Sequence, residues 1–524
     1  MRVALSSLDG RAFDVAVIGA GINGASAAQQ LAAAGYDVLL VDKADFASGS
    51  SGRSSRLLHC GLRYLAPGGS MWDFLRHPAR LGTALRMTRQ AMIARGEFVR
   101  DARERTRTIT FGFPIWRGGP YSAWQIDLAF RVLAALGPSE PPLDYKRLAP
   151  AEVARVPLFN LLRDRGRLVG VAAFREYQFD WPERVTLDMA LDAERMGAVA
   201  RNYTPVVGLE RAGAGWRLTL ADAAGGGAKA TVEAMRASVE ARIVLNTAGI
   251  WIDRVNALAR TPVGRKITGT KGAHIVLRLP PECEGHGIIT MNRKGVEPVY
   301  LFPWRQGLHY FGVTETLYDG DIDDVRADES DIDWLIAEFN HLLPDVAITR
   351  ADVLYTWAGV RPLTHDPALP KGARSRLVHD LSPEGMPGVF ALTAGPVTTH
   401  RSAGVELSQR VRALIRPSRP PRAPDHRPRE FPPSPGSPFV LNDYPSVTFA
   451  DLRHAAAHEH PLTLVDLLFR RVGLGWCESQ AREGARAAAE AVADVLGWDD
   501  ARTTREVEAY HAHLAHAHRL GTGG

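Results

Sequence analysis

The chain has 524 residues, room for roughly two to four domains. Hydrophobic residues make up 45% and charged residues 23%, which excludes a disordered chain. The 63 Lys and Arg exceed the 58 Asp and Glu by five, so bulk charge argues against a nucleic-acid binder. A local basic patch facing an anionic substrate or membrane surface stays open.

From Asp14 to Asp42 a short apolar strand, a glycine turn, an alanine-rich helix and a second apolar strand predict a βαβ unit. Residues 75–160 read as a helical, basic insertion carrying Arg76, Arg80, Arg86, Arg89, Arg95 and Arg100. Trp72, Phe74, Leu75 and Met87 lie among these arginines, a composition that suits an anionic interface or an ordinary solvated helix face. ADAAGGGAKA (221–230) reads as a loose hairpin tip. The segments ARIVLN (241–246) and GVFALT (388–393), each followed by Ala-Gly, predict strands that return to one parallel sheet. Between them, 265–350 alternates as antiparallel strands do, in HIVLRL, VYLFPW and LHYFGVTET. Nine prolines in residues 417–438 predict a linker, and 447–515 is alanine-rich and helix-periodic.

Cys60, Cys283 and Cys477 lie far apart with no CxxC or Cys/His spacing, so neither a metal site nor a disulfide framework is expected. Residues 1–14 lack the apolar run of about 7–15 residues that a signal peptide needs. No stretch reaches about 18 uninterrupted apolar residues. A cytoplasmic chain is expected, with peripheral membrane contact at most.

Residues 19–24 read GAGING, a GxGxxG directly after a strand. Gly19 permits the tight turn, and Gly21 lets the backbone approach a pyrophosphate whose charge meets the helix N-terminus at Ile22 and Asn23. Gly24, Ala28, Ala32 and Gly35 allow close helix–sheet packing. Asp42, 18 residues past Gly24, is placed to accept from an adenosine ribose. The serine-rich segment DFASGSSGRSSRLLHCGLRYL (45–65) suits a second phosphate and a flavin, which favours FAD over NAD. Its candidate cofactor residues are Ser50, Ser51, Ser54, Ser55, Leu58 and His59, joined by Gly249, Gly395 and Thr398 after later strands. The expected fold is α/β: a discontinuous Rossmann-like FAD-binding domain (1–80, 160–260, 352–415) with an inserted antiparallel-sheet cap or substrate domain (81–159, 261–351). A linker (416–440) and a C-terminal helical domain (441–524) follow.

These motifs, with GTKGAHIVL (269–277), FGVTETLYDGD (311–321), WAGVRPL (357–363), DLLFRRVGLGW (466–476) and VLGWDDARTTREVEAY (495–510), resemble the FAD-dependent glycerol-3-phosphate dehydrogenases of the D-amino-acid-oxidase fold group. The resemblance touches every region except the linker. It implies oxidation of sn-glycerol 3-phosphate to dihydroxyacetone phosphate, with electrons passed from FAD to a quinone or to oxygen. It also implies attachment to the inner face of the membrane and a homodimer.

Arg63, Arg361 and Arg374 fall where the family's substrate arginines fall, and Arg376 is an alternative to Arg374. The Arg fork suits a phosphomonoester. Tyr64 offers a hydroxyl. His274 alternates with Ile275 and can reach a cleft from a cap strand, as the acceptor of the hydroxyl proton or as a satisfied core histidine. Two departures stand out. Pro396 replaces the family's lysine, with Arg401 or Lys271 as substitute cations, or else the substrate is another hydroxy acid, polyol phosphate or amine. Cys60 replaces a glycine, as a covalent flavin link or, more commonly, a buried inert thiol.

Overall fold

The computed structural model describes residues 2–65, 78–224, 235–442 and 444–518. Trp72, Phe74, Leu75, Arg76 and most of the hairpin tip lie outside the described residues. Nine elements organise the rest: β1 (Ala12–Ile18), α1 (Ile22–Ala33), β2 (Val38–Val41), β3 (Arg236–Asn246), β4 (Ile267–Arg278), β5 (Tyr355–Asp366), β6 (Val389–Thr393), α2 (His400–Leu414) and α3 (Asp500–Ala517).

The first sheet holds β6, β3, β1 and β2 as parallel neighbours, with Val17 beside Leu245 and Leu40 in register. Where they pair, at Val15–Ile18, Val38–Val41, Ile243–Leu245 and Val389–Leu392, the strands are apolar and buried, because helices cover them. The buried side chains of Ala25, Ala28 and Ala32 let α1 lie close, against α2 and the helix Pro182–Arg195. This is the Rossmann-like cofactor domain.

The second sheet is large, largely antiparallel and built around β4, which pairs with β5 on one side and Leu308–Gly312 on the other. Here the expected boundaries need correction. The strand Leu168–Phe179 and all of β5 belong to this cap sheet, although 160–260 and 352–415 had placed them with the cofactor domain. Their backbone groups bond to Thr106–Trp116 and to β4, and no periodicity distinguishes a buried cap strand from a buried parallel one.

The basic insertion forms the helix Pro78–Asp101. Arg86, Arg89 and Arg100 are exposed, but Arg95 is buried in an ion pair with Glu176 at 3.1 Å, so it is no part of a basic face. The proline-rich stretch departs from a free linker. Arg419 N donates to Gly35 O at 3.1 Å and Gln29 Nε2 to Asp425 O at 3.0 Å, strapping it across α1. Beyond it, the helices Phe449–His458, Ala485–Leu496 and α3 form the C-terminal domain, which shares one core with the cap through Trp304, Tyr310, Trp357, Phe469 and Trp476.

Candidate active site

A continuous cavity of about 800 Å3 runs from the β1–α1 turn to the face of the cap sheet. Gly19, Gly21, Ile22, Asn23, Asp42, Ser50, Ser51, Ser54, Ser55, His59, Gly249, Gly395 and Thr398 all line it, as do Arg63, Tyr64, His274, Arg361 and Arg374. Two expected cofactor residues do not. Leu58 turns into the core, and by strand alternation Leu57 takes the wall instead. Gly24 packs: a Cβ there would lie 1.9 Å from Gly19 O.

The cradle end is built from backbone. Gly19 adopts φ +101°, and a Cβ on it would meet Ala248 Cα at 2.7 Å, so only glycine makes this turn. The N-terminus of α1 opens on the cavity, where Ile22 N donates to Ser51 Oγ at 2.9 Å. Asn23 Nδ2 reaches Gly395 O at 2.9 Å, and its Oδ1 is buried with no partner among the described residues. Asp42 accepts from Ala20 N at 2.7 Å and Ala44 N at 3.0 Å. Burial outweighs those two bonds and pushes its carboxyl up to about 6. The anion-ready turn, the acidic acceptor at the end of β2 and the length of the cavity fit FAD.

The C-terminal domain holds this cradle from behind. Arg471 makes a two-pronged pair to Asp45 at 2.7 and 2.8 Å, and Arg470 adds a third bond at 2.6 Å. Burial pushes the Asp45 carboxyl up, but the two arginines outweigh it and keep it ionised. At the other end of the flavin loop, Arg56 pairs with Glu183 at 2.8 Å and lies over the Trp476 ring.

The far end is built from charge. Arg63, Arg361 and Arg374 face one another around Glu315, which pairs with Arg374. Burial, then Arg374 and Arg63, pull the Arg361 guanidinium down to about 10, a strained positive cluster with room for an anion. Arg376 is tied to Glu406 and Thr399 away from the cavity wall, so Arg374 is the third arginine.

His274 is also on the wall. β-sheet register places it beside Trp357, on whose ring it stacks at 4.7 Å, and opposite Gly312, where a Cβ would come within 2.4 Å of the imidazole. Its Nε2 pairs with Ser55 Oγ at 3.0 Å, and burial, Arg361 and Arg56 hold its pKa well below 6.5. His59 lies edge-on to Tyr64, pulled down to about 3 by burial and Arg63.

The two departures have structural counterparts. Pro396 lines the cavity at the start of the turn into α2. Neither suggested substitute cation is free. Lys271 is held by Asp328 and by Asp331 at 2.7 Å, Arg401 by Asp101 at 2.6 Å, and both lie off the wall. Burial and neighbouring Glu176 push the Cys60 thiol well up, which keeps it protonated. Sequence reasoning missed Glu315 and Tyr300. Both lie inside segments read as cap strands, where alternation marks a face but not the cavity it meets.

Residues 14–410 match the family described as FAD dependent oxidoreductase, which defines the class. Residues 435–503 match the C-terminal domain of alpha-glycerophosphate oxidase. A glycerol-3-phosphate dehydrogenase of Synechocystis sp. is 32% identical over 421 residues, covering 78% of this chain and 72% of that protein. The chain belongs to the FAD-dependent glycerol-3-phosphate dehydrogenase family. D-erythritol 1-phosphate dehydrogenase of Brucella abortus is 29% identical over 408 residues, 76% of this chain and 72% of that one. The fold matches that of a glycerol-3-phosphate dehydrogenase from Bacillus halodurans complexed with FAD, with TM-score 0.71 and 20% identity over 98% of this chain and 96% of the other.

Proposed function

We propose that this enzyme oxidises the secondary alcohol of sn-glycerol 3-phosphate to dihydroxyacetone phosphate and passes the electrons to a quinone. The observation that carries this reading is the convergence of Arg63, Arg361 and Arg374 on the cavity that the cofactor turn opens into. A phosphomonoester carries about −1.5 to −2 charges at pH 7, and guanidinium forks match its oxygens. FAD, when bound, supplies the hydride acceptor. The protein's part is to grip the phosphate, orient the carbinol and remove one proton.

His274 is the proposed proton acceptor. It enters the reaction neutral, with its ring plane fixed by Trp357 and one nitrogen paired to Ser55. Arg361 is among the charges that depress its basicity. A phosphate dianion seated on Arg361 offsets that charge, so substrate binding itself makes His274 a better base. His274→Gln is expected to lower kcat roughly 10²–10⁴-fold while leaving flavin content unchanged.

The similar proteins of Synechocystis sp. and Brucella abortus are dehydrogenases, which supports an acceptor other than oxygen, and a quinone is the one the family resemblance implies. Among the described residues no helix is long and apolar enough to cross a membrane. A peripheral contact is supported by Trp124 (60% exposed) and Leu128 (42%) on the helix Ala123–Leu136, which packs against the helix bearing Arg86 and Arg89. Retention on native membranes at low salt is the expected result.

The primary test is the visible spectrum of the anaerobic holoenzyme on adding millimolar sn-glycerol 3-phosphate. Bleaching of the flavin band is expected. A band that stays oxidised overturns the assignment. Pro396 on the cavity wall favours one second reading, another polyol phosphate, and bleaching by such a compound alone would establish it. Pro396→Lys would then bring glycerol 3-phosphate turnover back.

A further inference from the structure

Glu315 stands inside the arginine cluster, where the proposed reaction has no use for it. Its side chain is 12% exposed and pairs with Arg374. Burial pushes its carboxyl up, but Arg374, Arg361 and Arg63 outweigh burial and keep it ionised. Its backbone is fastened too. Lys371 Nζ donates to Glu315 O at 3.0 Å, and Arg361 Nη2 to the neighbouring Thr314 O at 3.3 Å. A carboxylate so built into an anion pocket repels the substrate that the pocket is there to bind.

We propose that Glu315 is an internal counter-anion that sets the pocket's affinity for phosphate. It occupies Arg374 while the site is empty and yields that guanidinium to the incoming ester. This role rests on the phosphate reading above. Three guanidinium groups and one carboxylate leave a charge of +2, which a phosphomonoester of about −2 neutralises. Without the carboxylate the pocket would be +3 and would still hold about +1 once filled. Substrate, product and inorganic phosphate would then all be retained more tightly, and product departure would slow. Glu315 thereby trades ground-state affinity for turnover.

The test uses the holoenzyme, with inorganic phosphate as probe, read by perturbation of the flavin band and independently of turnover. Glu315→Gln keeps the shape and removes the charge. It is expected to lower the phosphate Kd on the order of tenfold and to lower KM and kcat together. Glu315→Asp keeps the charge while retracting the contact, and its phosphate Kd should stay within about threefold of the parent. A Glu315→Gln Kd that is unchanged or raised overturns the counter-anion role, since a residue that merely positions Arg374 would weaken phosphate when lost. A kcat that does not fall overturns the turnover part. Tight phosphate binding without reduction by glycerol 3-phosphate would count against the substrate assignment alone.

Discussion

The two ends of the cavity are made in different ways. The cradle end is backbone: a glycine turn, a helix N-terminus and one acidic acceptor, nearly all from residues 18–60. The anion end is side chains: Arg63, Tyr300, Glu315, Arg361 and Arg374, drawn from across 311 positions of sequence and brought together by the cap sheet. A backbone site tolerates no added atoms, and its response to charge is confined to the single carboxylate of Asp42. A charged site tolerates changes of shape and fails when its electrostatics change. Variants that separate these two sensitivities are the sharpest tests of the reading.

The largest effect is expected at Gly24. A Cβ 1.9 Å from Gly19 O cannot be accommodated without moving the turn, and Gly24→Ala should purify without stoichiometric flavin. Phosphate binding at the far end should survive, because Arg63, Arg361 and Arg374 come from other segments of the chain. Full flavin content in Gly24→Ala would remove the basis for a backbone-made cradle.

Arg361→Ala inverts the experiment. The cradle is untouched, so flavin content should be normal. Loss of one buried charged partner of phosphate costs ~3 kcal/mol, about a hundredfold in kcat/KM. Flavin loss in Arg361→Ala would mean that the two ends are not independent.

How far each end could be read from sequence follows the same division. Contiguous segments announce themselves, so the turn, Asp42 and the serine loop were legible from spacing alone. Arg63 and Arg361 are marked by the motifs that hold them, GLRYL and WAGVRPL, whereas Arg374 has Arg376 as a neighbouring alternative, because nothing local distinguishes a pocket arginine from a surface one. Glu315 lies within FGVTETLYDGD but is not legible there, since its meaning depends on Arg374, 59 positions away. The domain boundaries failed for a related reason. LVGVAAF in Leu168–Phe179 and WAGV in β5 are continuous apolar runs, and only their hydrogen-bond partners reveal which sheet owns them.

A third variant probes the C-terminal clamp, whose arginines lie within DLLFRRVGLGW although nothing local to that motif marks Asp45 as their partner. Arg471 and Asp45 are both fully buried, and Arg471→Met would leave the Asp45 carboxylate with Arg470 and Asn202 as its remaining side-chain partners. Breaking a buried pair costs about 3–5 kcal/mol when no partner remains, so with Arg470 in place ~2 kcal/mol is expected. Asp45 lies three residues from Asp42, so part of that loss should appear as about tenfold weaker FAD binding on reconstitution of the apoprotein. A lower Tm with unchanged FAD affinity would make the clamp purely structural.

The smallest effect is one of pH, and it belongs to Asp42 in the cradle. Burial lifts Asp42 to about 6, above its unfolded value of about 3.9. Between those values the folded chain binds a proton that the unfolded chain does not. Stability of the flavin-free protein therefore falls as pH rises from about 4 to 6 and is level above that. FAD acts in the opposite direction. Ribose hydroxyls donate hydrogen bonds, so they favour the ionised carboxylate and draw its pKa down. FAD affinity should accordingly be flat above pH 6 and weaken below it, by up to about tenfold per unit. Asp42→Asn removes the titrating group and should give a weaker but pH-independent affinity. An unaltered slope in that variant would transfer the acceptor role from Asp42 to another group on the cavity wall.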